Sequence, residues 1–232
     1  MTAQELLFRV GGVCLILFIP LLVIGSILYA RIGMSSGSEG ADALRRIASA
    51  GTSFPIMNAL FHLGALLLLP GAAALAIALR GADRDGWIVL GTALVVLAVT
   101  VGAGFVFALN HGLYGIAGPY SAATPEQQGA YAVAASMNLR TQAGAELVQS
   151  MGLGLWVLCL TVGIAAAGWP AWLTYLGIAG GVGFIAAGLS SVLMGVPGVG
   201  PALGALGGLG LLLFATWLVA IGIQLVTLAP PG

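Results

Sequence analysis

The chain contains no lysine, and its seven basic residues are all arginine, balanced by seven acidic ones. With zero net charge it has no basic stripe to neutralise phosphates, which excludes a nucleic-acid binder and a polybasic lipid anchor. Charged residues make up only 6% of the 232, against about 25% in an ordinary soluble domain. Cysteine is almost absent as well. Cys14 and Cys159 both fall in apolar stretches, where a thiol behaves as a small buried hydrophobe, so there is no disulfide framework to read. There are only two histidines, and no C-x-x-C, H-E-x-x-H or E-x-x-H spacing accompanies them. Walker loops and dinucleotide fingerprints are missing too.

Apolar sequence is what the chain has in abundance: 60% of residues are hydrophobic and the mean hydropathy is +1.11. A membrane-spanning helix needs about 20 apolar residues, and six stretches qualify, near 9–29, 54–79, 87–109, 142–167, 171–194 and 202–228. None alternates as a membrane β-strand must, so helices are left to satisfy the backbone in hydrocarbon. The expectation is an all-α, polytopic integral membrane protein, a single domain of six transmembrane helices over 1–232. The run Val10 to Tyr29 exceeds a signal-peptide core and lacks a small-residue cleavage site, so it reads as a retained first span.

The connections are uneven. Arg80 to Gly86 and Gly168 to Pro170 are short enough to force antiparallel neighbours. The first loop is Gly/Ser-rich over Met34 to Gly40 and then carries a short amphipathic stretch, Ala41 to Ala48, suited to the membrane interface. In the third, His111 to Ala123, Gly112, Gly115, Gly118 and Pro119 read as helix breakers, with Tyr114 and Tyr120 at the headgroups. Thr124-Pro125-Glu126-Gln127 is a capping box with Pro at the first helical position. No proline follows until Pro170, so the fourth helix is expected to be long. Pro70 should kink the second span. Gly177 and Gly181, and Gly204 and Gly208, have the four-residue spacing that permits close helix contact within the chain.

Ionisable groups near lipid carry a free-energy cost that usually signals a use. His62 lies about 12 Å along the second span at 1.5 Å per residue, with Asn58 one turn before it on the same face. Asn110 and His111 sit where the third span would leave the membrane on that side. Asn138, Gln142, Glu146 and Gln149 follow i, i+4, i+8, i+11 spacing and form one polar stripe, which should face the bundle interior or a cavity. Arg140 beside them can snorkel to headgroups. These nine residues are the candidate pocket, between spans two, three and four, with Phe61, Phe105, Phe107 and Trp156 as apolar walls.

Several functions fit that constellation. The leading expectation is a binder of a small molecule, a lipid or a quinone-like ligand, or an accessory subunit of a membrane assembly, with membrane lipids as its surroundings. A metal- or haem-bearing oxidoreductase would use His62, His111 and Glu146 as ligands. A structural bundle would use the same groups as glue between helices, including a Glu146 ion pair with Arg140 or His62. Ser190-Ser191 has no surrounding motif for a nucleophile, so whether the protein is an enzyme stays open. The two three-span halves match only faintly, through Phe54-Pro55 and Trp169-Pro170, which gives little support to an inverted-repeat carrier. Arg9, Arg80 and Arg84 on the side of the termini face Arg31, Arg45, Arg46 and Arg140 on the other. The tight loop holding Arg80 and Arg84 tips the balance toward cytoplasmic termini.

The stretch Gly168-Trp169-Pro170-Ala171-Trp172-Leu173-Thr174-Tyr175-Leu176-Gly177, followed by Gly180-Gly181, resembles the fifth-span pattern of six-span bacterial membrane proteins grouped as the DUF4386-like family. Length, span number, long first loop and long fourth helix agree with that resemblance, which implies a bacterial inner-membrane protein. Ala171 stands where the family pattern carries Arg. The resemblance implies no chemistry and adds no catalytic residue.

Overall fold

A computed structural model describes residues 2–33, 39–81, 85–193, 196 and 198–228. Arg84, Met194 and the Met34 to Ser38 part of the first loop lie outside the described residues. Helix accounts for 93% of the structure, and no strand occurs among the described residues. The helices are α1 (Ala3–Ile32), α2 (Gly40–Ala50), α3 (Ser53–Ala78), α4 (Asp85–Val99), a π-helical segment (Thr100–Val106), α5 (Phe107–Ala122), α6 (Pro125–Ala166), α7 (Ala171–Leu193) and α8 (Val199–Leu228). Six of the described helical stretches are long and apolar enough to cross a membrane, with α4, the π segment and α5 counting as one, Asp85–Ala122. The protein is an integral, multi-pass membrane protein.

The spanning helices close a ring: α3 packs on α1, α1 on α8, α8 on α7, α7 on α6, α6 on α4, and α4 returns to α3. Inside it lie Leu15, Leu68, Leu75, Trp156, Phe214 and Trp217, all fully buried. Lipid is as apolar as these side chains, so the ring is held by close packing rather than by the hydrophobic effect. Gly183 of α7 and Gly210 of α8 meet backbone to backbone, while Gly177 receives Trp217 and Gly181 receives Leu158. Gly204 and Gly208, which share the expected spacing, instead face open space; Gly207 and Gly210 are the α8 glycines that meet α7. Helix rotation about the packing axis decides this, and spacing alone does not encode it.

The α6 helix is 42 residues long, about 63 Å at 1.5 Å per residue and twice a hydrocarbon core of about 30 Å. Its first half must project from the membrane. As expected, its start is a capping box: Gln127 N donates to Thr124 Oγ1 at 3.4 Å, and Thr124 N to Gln127 Oε1 at 3.1 Å. Beside it, α5 runs unbroken to Ala122, so His111 is not at a helix exit and Gly112, Gly115, Gly118 and Pro119 do not break the helix. Each glycine costs a helix roughly 1 kcal/mol. Burying Leu113, Ala117 and Tyr120 along the opposite face offsets that cost.

Helix α2 closes this projecting part into a cap with its own core: Leu44, Ile47, Phe54, Met57, Leu113 and Ala135 among others. The apolar face of α2 is therefore covered by α5 and α6, and Ser136 Oγ accepts from Gly40 N at 3.1 Å. It is a strut of the cap rather than a helix laid on lipid with that face. Tyr120, expected at the headgroups, is buried in the same core; Tyr114 stacks on Phe54 with ring centroids 6.2 Å apart.

Candidate functional site

A cavity of about 450 Å³ lies where the cap meets the ring. Its wall takes Phe54 and Met57 from the cap core and Phe18, Leu68 and Leu153 from the bundle core. Tyr29 of α1 and Phe184, Ala187, Gly188 and Ser191 of α7 complete it. The space is thus shared by spans one to five and is wider than a pocket between spans two, three and four. Its volume falls in the roughly 300–1,000 Å³ range of small-molecule sites.

Six of the nine candidate polar residues line it: Asn58, His62, Asn110, Gln142, Glu146 and Gln149. One turn of α3 explains the first two, because His62 Nδ1 hydrogen-bonds the Asn58 carbonyl beneath it. On α6, Gln142 Nε2 donates to Glu146 Oε1 at 2.9 Å, while Gln142 Oε1 is buried without a hydrogen-bond partner. Tyr29 is within electrostatic reach of the same carboxylate. Ser191 Oγ donates to the carbonyls of Gly188, at 2.7 Å, and Ala143, at 3.4 Å, tying α7 to α6 at the rim.

The other three lie elsewhere. Asn138 spans the helices of the cap, donating from Nδ2 to the Leu109 carbonyl at 3.0 Å. His111 and Arg140 are exposed. Of the four expected walls, only Phe61 lines the cavity. Trp156 is buried in the ring against Trp217, Phe105 faces outward, and Phe107 packs outside the cavity against the His62 ring, at 4.9 Å between centroids. For Phe105 and Phe107 the π turn is the reason: it is wider than an α turn and shifts the facing of the residues in and after it, which a 3.6-residue count does not anticipate.

With this geometry, the chain can be compared with known proteins. The profile of the family described as a domain of unknown function, DUF4386, matches residues 10–222. The chain belongs to the DUF4386 family. No curated protein and no solved structure matches it.

For this DUF4386 protein the metal expectation is corrected by its own donor geometry. Among the described residues, no three His, Cys, Asp or Glu side chains come together, so His62, His111 and Glu146 do not form a ligand set. Both imidazoles pack on Phe107, at 4.9 and 6.3 Å between centroids, with His62 buried and His111 on the outside. Glu146 forms no ion pair with Arg140 or His62; its hydrogen-bonded partner is Gln142. The sequence reading missed Gly102, Tyr29, Phe184 and Ser191 as wall residues. The first had a signal, since Gly102 and Gly104 interrupt an otherwise bulky mid-span run, Val99 to Phe107. The others share no motif and meet the site only through the ring order of the helices.

Proposed function

We propose that this protein binds a small, largely apolar molecule in the cavity between cap and ring, reached from the side of the membrane on which the cap projects. The observation that carries this reading is the convergence of Asn58, His62, Asn110, Gln142, Glu146 and Gln149 on one space walled by aromatic and aliphatic side chains. A few polar groups in an apolar enclosure orient a ligand while its body supplies contact area. Filling the space tests it. Ala143→Leu places extra carbons in the cavity, and native mass spectrometry of the protein released from lipid should then lose a co-purifying mass that wild type retains. A wild type carrying no bound molecule after gentle extraction, and binding none added back, would sink the reading.

We also propose a bacterial inner membrane with both termini in the cytoplasm and the cap outside. Supporting the shared side, Gly12 near the start of α1 packs on Gly222 near the end of α8, as an even number of spans requires. Supporting the direction, Arg80 and Arg84 fall by sequence in the short, tightly tethered connection on that side. Labelling of single cysteines placed at Ser49 and Thr2 by an impermeant reagent in intact cells tests it; reaction at Thr2 but not Ser49 would reverse the orientation.

A further inference from the structure

The charge on the cavity wall is lopsided. Glu146 has a carboxylate of which one oxygen receives a single bond, from Gln142 Nε2 at 2.9 Å. That bond consumes a donor, and the other end of the same amide, Gln142 Oε1, is buried with nothing donating to it. Ser191 spends its hydroxyl hydrogen on main-chain carbonyls, which leaves its oxygen able only to accept. His62 Nδ1 is hydrogen-bonded to the Asn58 carbonyl, so its ring hydrogen is also engaged within the protein. Among the described wall residues none is Arg or Lys, and Glu146 is the one carboxylic acid. Neutral donors are present on the wall, in Tyr29, Asn58, Asn110, Gln149 and Ser150, but a positive charge is not, and a carboxylate without a paired cation in an apolar enclosure is unfavourable.

We infer that the occupant of this cavity is an amphiphilic amine or ammonium cation: an apolar body with an N–H-bearing head that donates to Glu146. The inference rests on the binding reading above and deepens it. A primary ammonium brings three donors and a positive charge, which complements the Glu146 carboxylate and leaves donors for neighbouring amide oxygens. The walls suit the same ligand, because Phe18, Phe54, Phe61 and Phe184 present aromatic rings around the space and ring faces attract cations. An anionic headgroup has the opposite match. It would meet a carboxylate with no Arg or Lys on the wall to pair with.

A matched series of probes separates the two levels. Wild-type protein in phosphatidylcholine nanodiscs is titrated with decylamine, decanol and decanoate, with heats corrected by empty discs. The expected order is decylamine binding at least tenfold tighter than decanol, decanoate weakest, and Glu146→Gln reducing the amine's advantage to threefold or less while decanol binding is unchanged. Equal affinity of decylamine and decanol for wild type, or an amine preference that survives E146Q, overturns the amine inference and leaves the binding reading standing. No heat above empty discs for any of the three overturns the amine inference; the binding reading then falls only if no molecule co-purifies with the wild type either. The wild-type series decides between amine and alcohol by itself should E146Q fail to fold.

Discussion

The Gln149 carboxamide lies directly on the backbone of Gly102, in space that any side chain at position 102 would need. This contact joins α6 to the π segment. A methyl group added at Gly102 would collide with the far end of Gln149, a flexible group that can swing away. Gly102→Ala is therefore expected to cost less than the roughly 1–3 kcal/mol of an overpacked core, and to weaken ligand binding by displacing the amide. Thermal unfolding in detergent should show the double variant G102A/Q149A no less stable than Q149A alone. An undiminished G102A penalty in the Q149A background would refute the contact.

The α7–α8 crossing predicts a different response. A Cβ at Gly210 would meet the backbone of Gly183, and backbone cannot rotate out of the way. Gly210→Ala should destabilise by at least about 1–3 kcal/mol. Gly204→Ala and Gly208→Ala meet nothing within 4 Å and should be neutral, or gain up to about 1 kcal/mol from helix propensity. Guanidinium or SDS unfolding of the three variants side by side ranks them, and equal losses would contradict the crossing.

The two central tryptophans pack perpendicular, with centroids 6.1 Å apart, but differ in their polar edge. Trp217 Nε1 donates to the Leu173 carbonyl at 3.0 Å, whereas Trp156 Nε1 is buried without a partner. Replacement by Phe removes a satisfied donor from the first and an unsatisfied one from the second. Trp217→Phe should thus cost about 1 kcal/mol more than Trp156→Phe in a stability titration, and the reverse order would count against this hydrogen bond.

Acid should loosen the cap from one identifiable point. Arg46 Nε donates to Asp42 Oδ2 at 2.7 Å, and this bond, with desolvation opposing it and the nearby arginine charges assisting, holds the Asp42 carboxyl below its ordinary 3.8. A carboxyl lower in the folded state contributes stability above its unfolded value, and that contribution disappears as pH falls through the folded value. Amide exchange in α2 should be flat from about pH 8 to 5 and show reduced protection below about pH 4, beyond the intrinsic pH dependence of exchange. The Asp42→Asn variant should lack that acid step. If it keeps the same step, another group is responsible.

The pattern of apolar stretches determined that this is a six-span helical membrane protein, because runs as long as Ala3–Ile32 and Val199–Leu228 that do not alternate as barrel strands leave only helices to satisfy the backbone. The capping box at Thr124 and the stretch free of proline likewise determined the long α6, since both act within a few residues of chain. The i, i+4, i+8 spacing of the polar stripe placed Gln142 and Glu146 on one face for the same reason: helix geometry converts spacing into direction. Tertiary structure decided the rest. It carried α5 through three glycines and a proline, because the buried face of Leu113, Ala117 and Tyr120 outweighed local propensity. It turned Phe105 and Phe107 away through a π segment, buried the apolar face of α2 in a cap, and brought Phe184 and Ser191 to the cavity by setting α7 beside α6. These outcomes depend on which helices are neighbours and how each is rotated, and residues of similar apolar character along a span leave both undetermined until the helices pack.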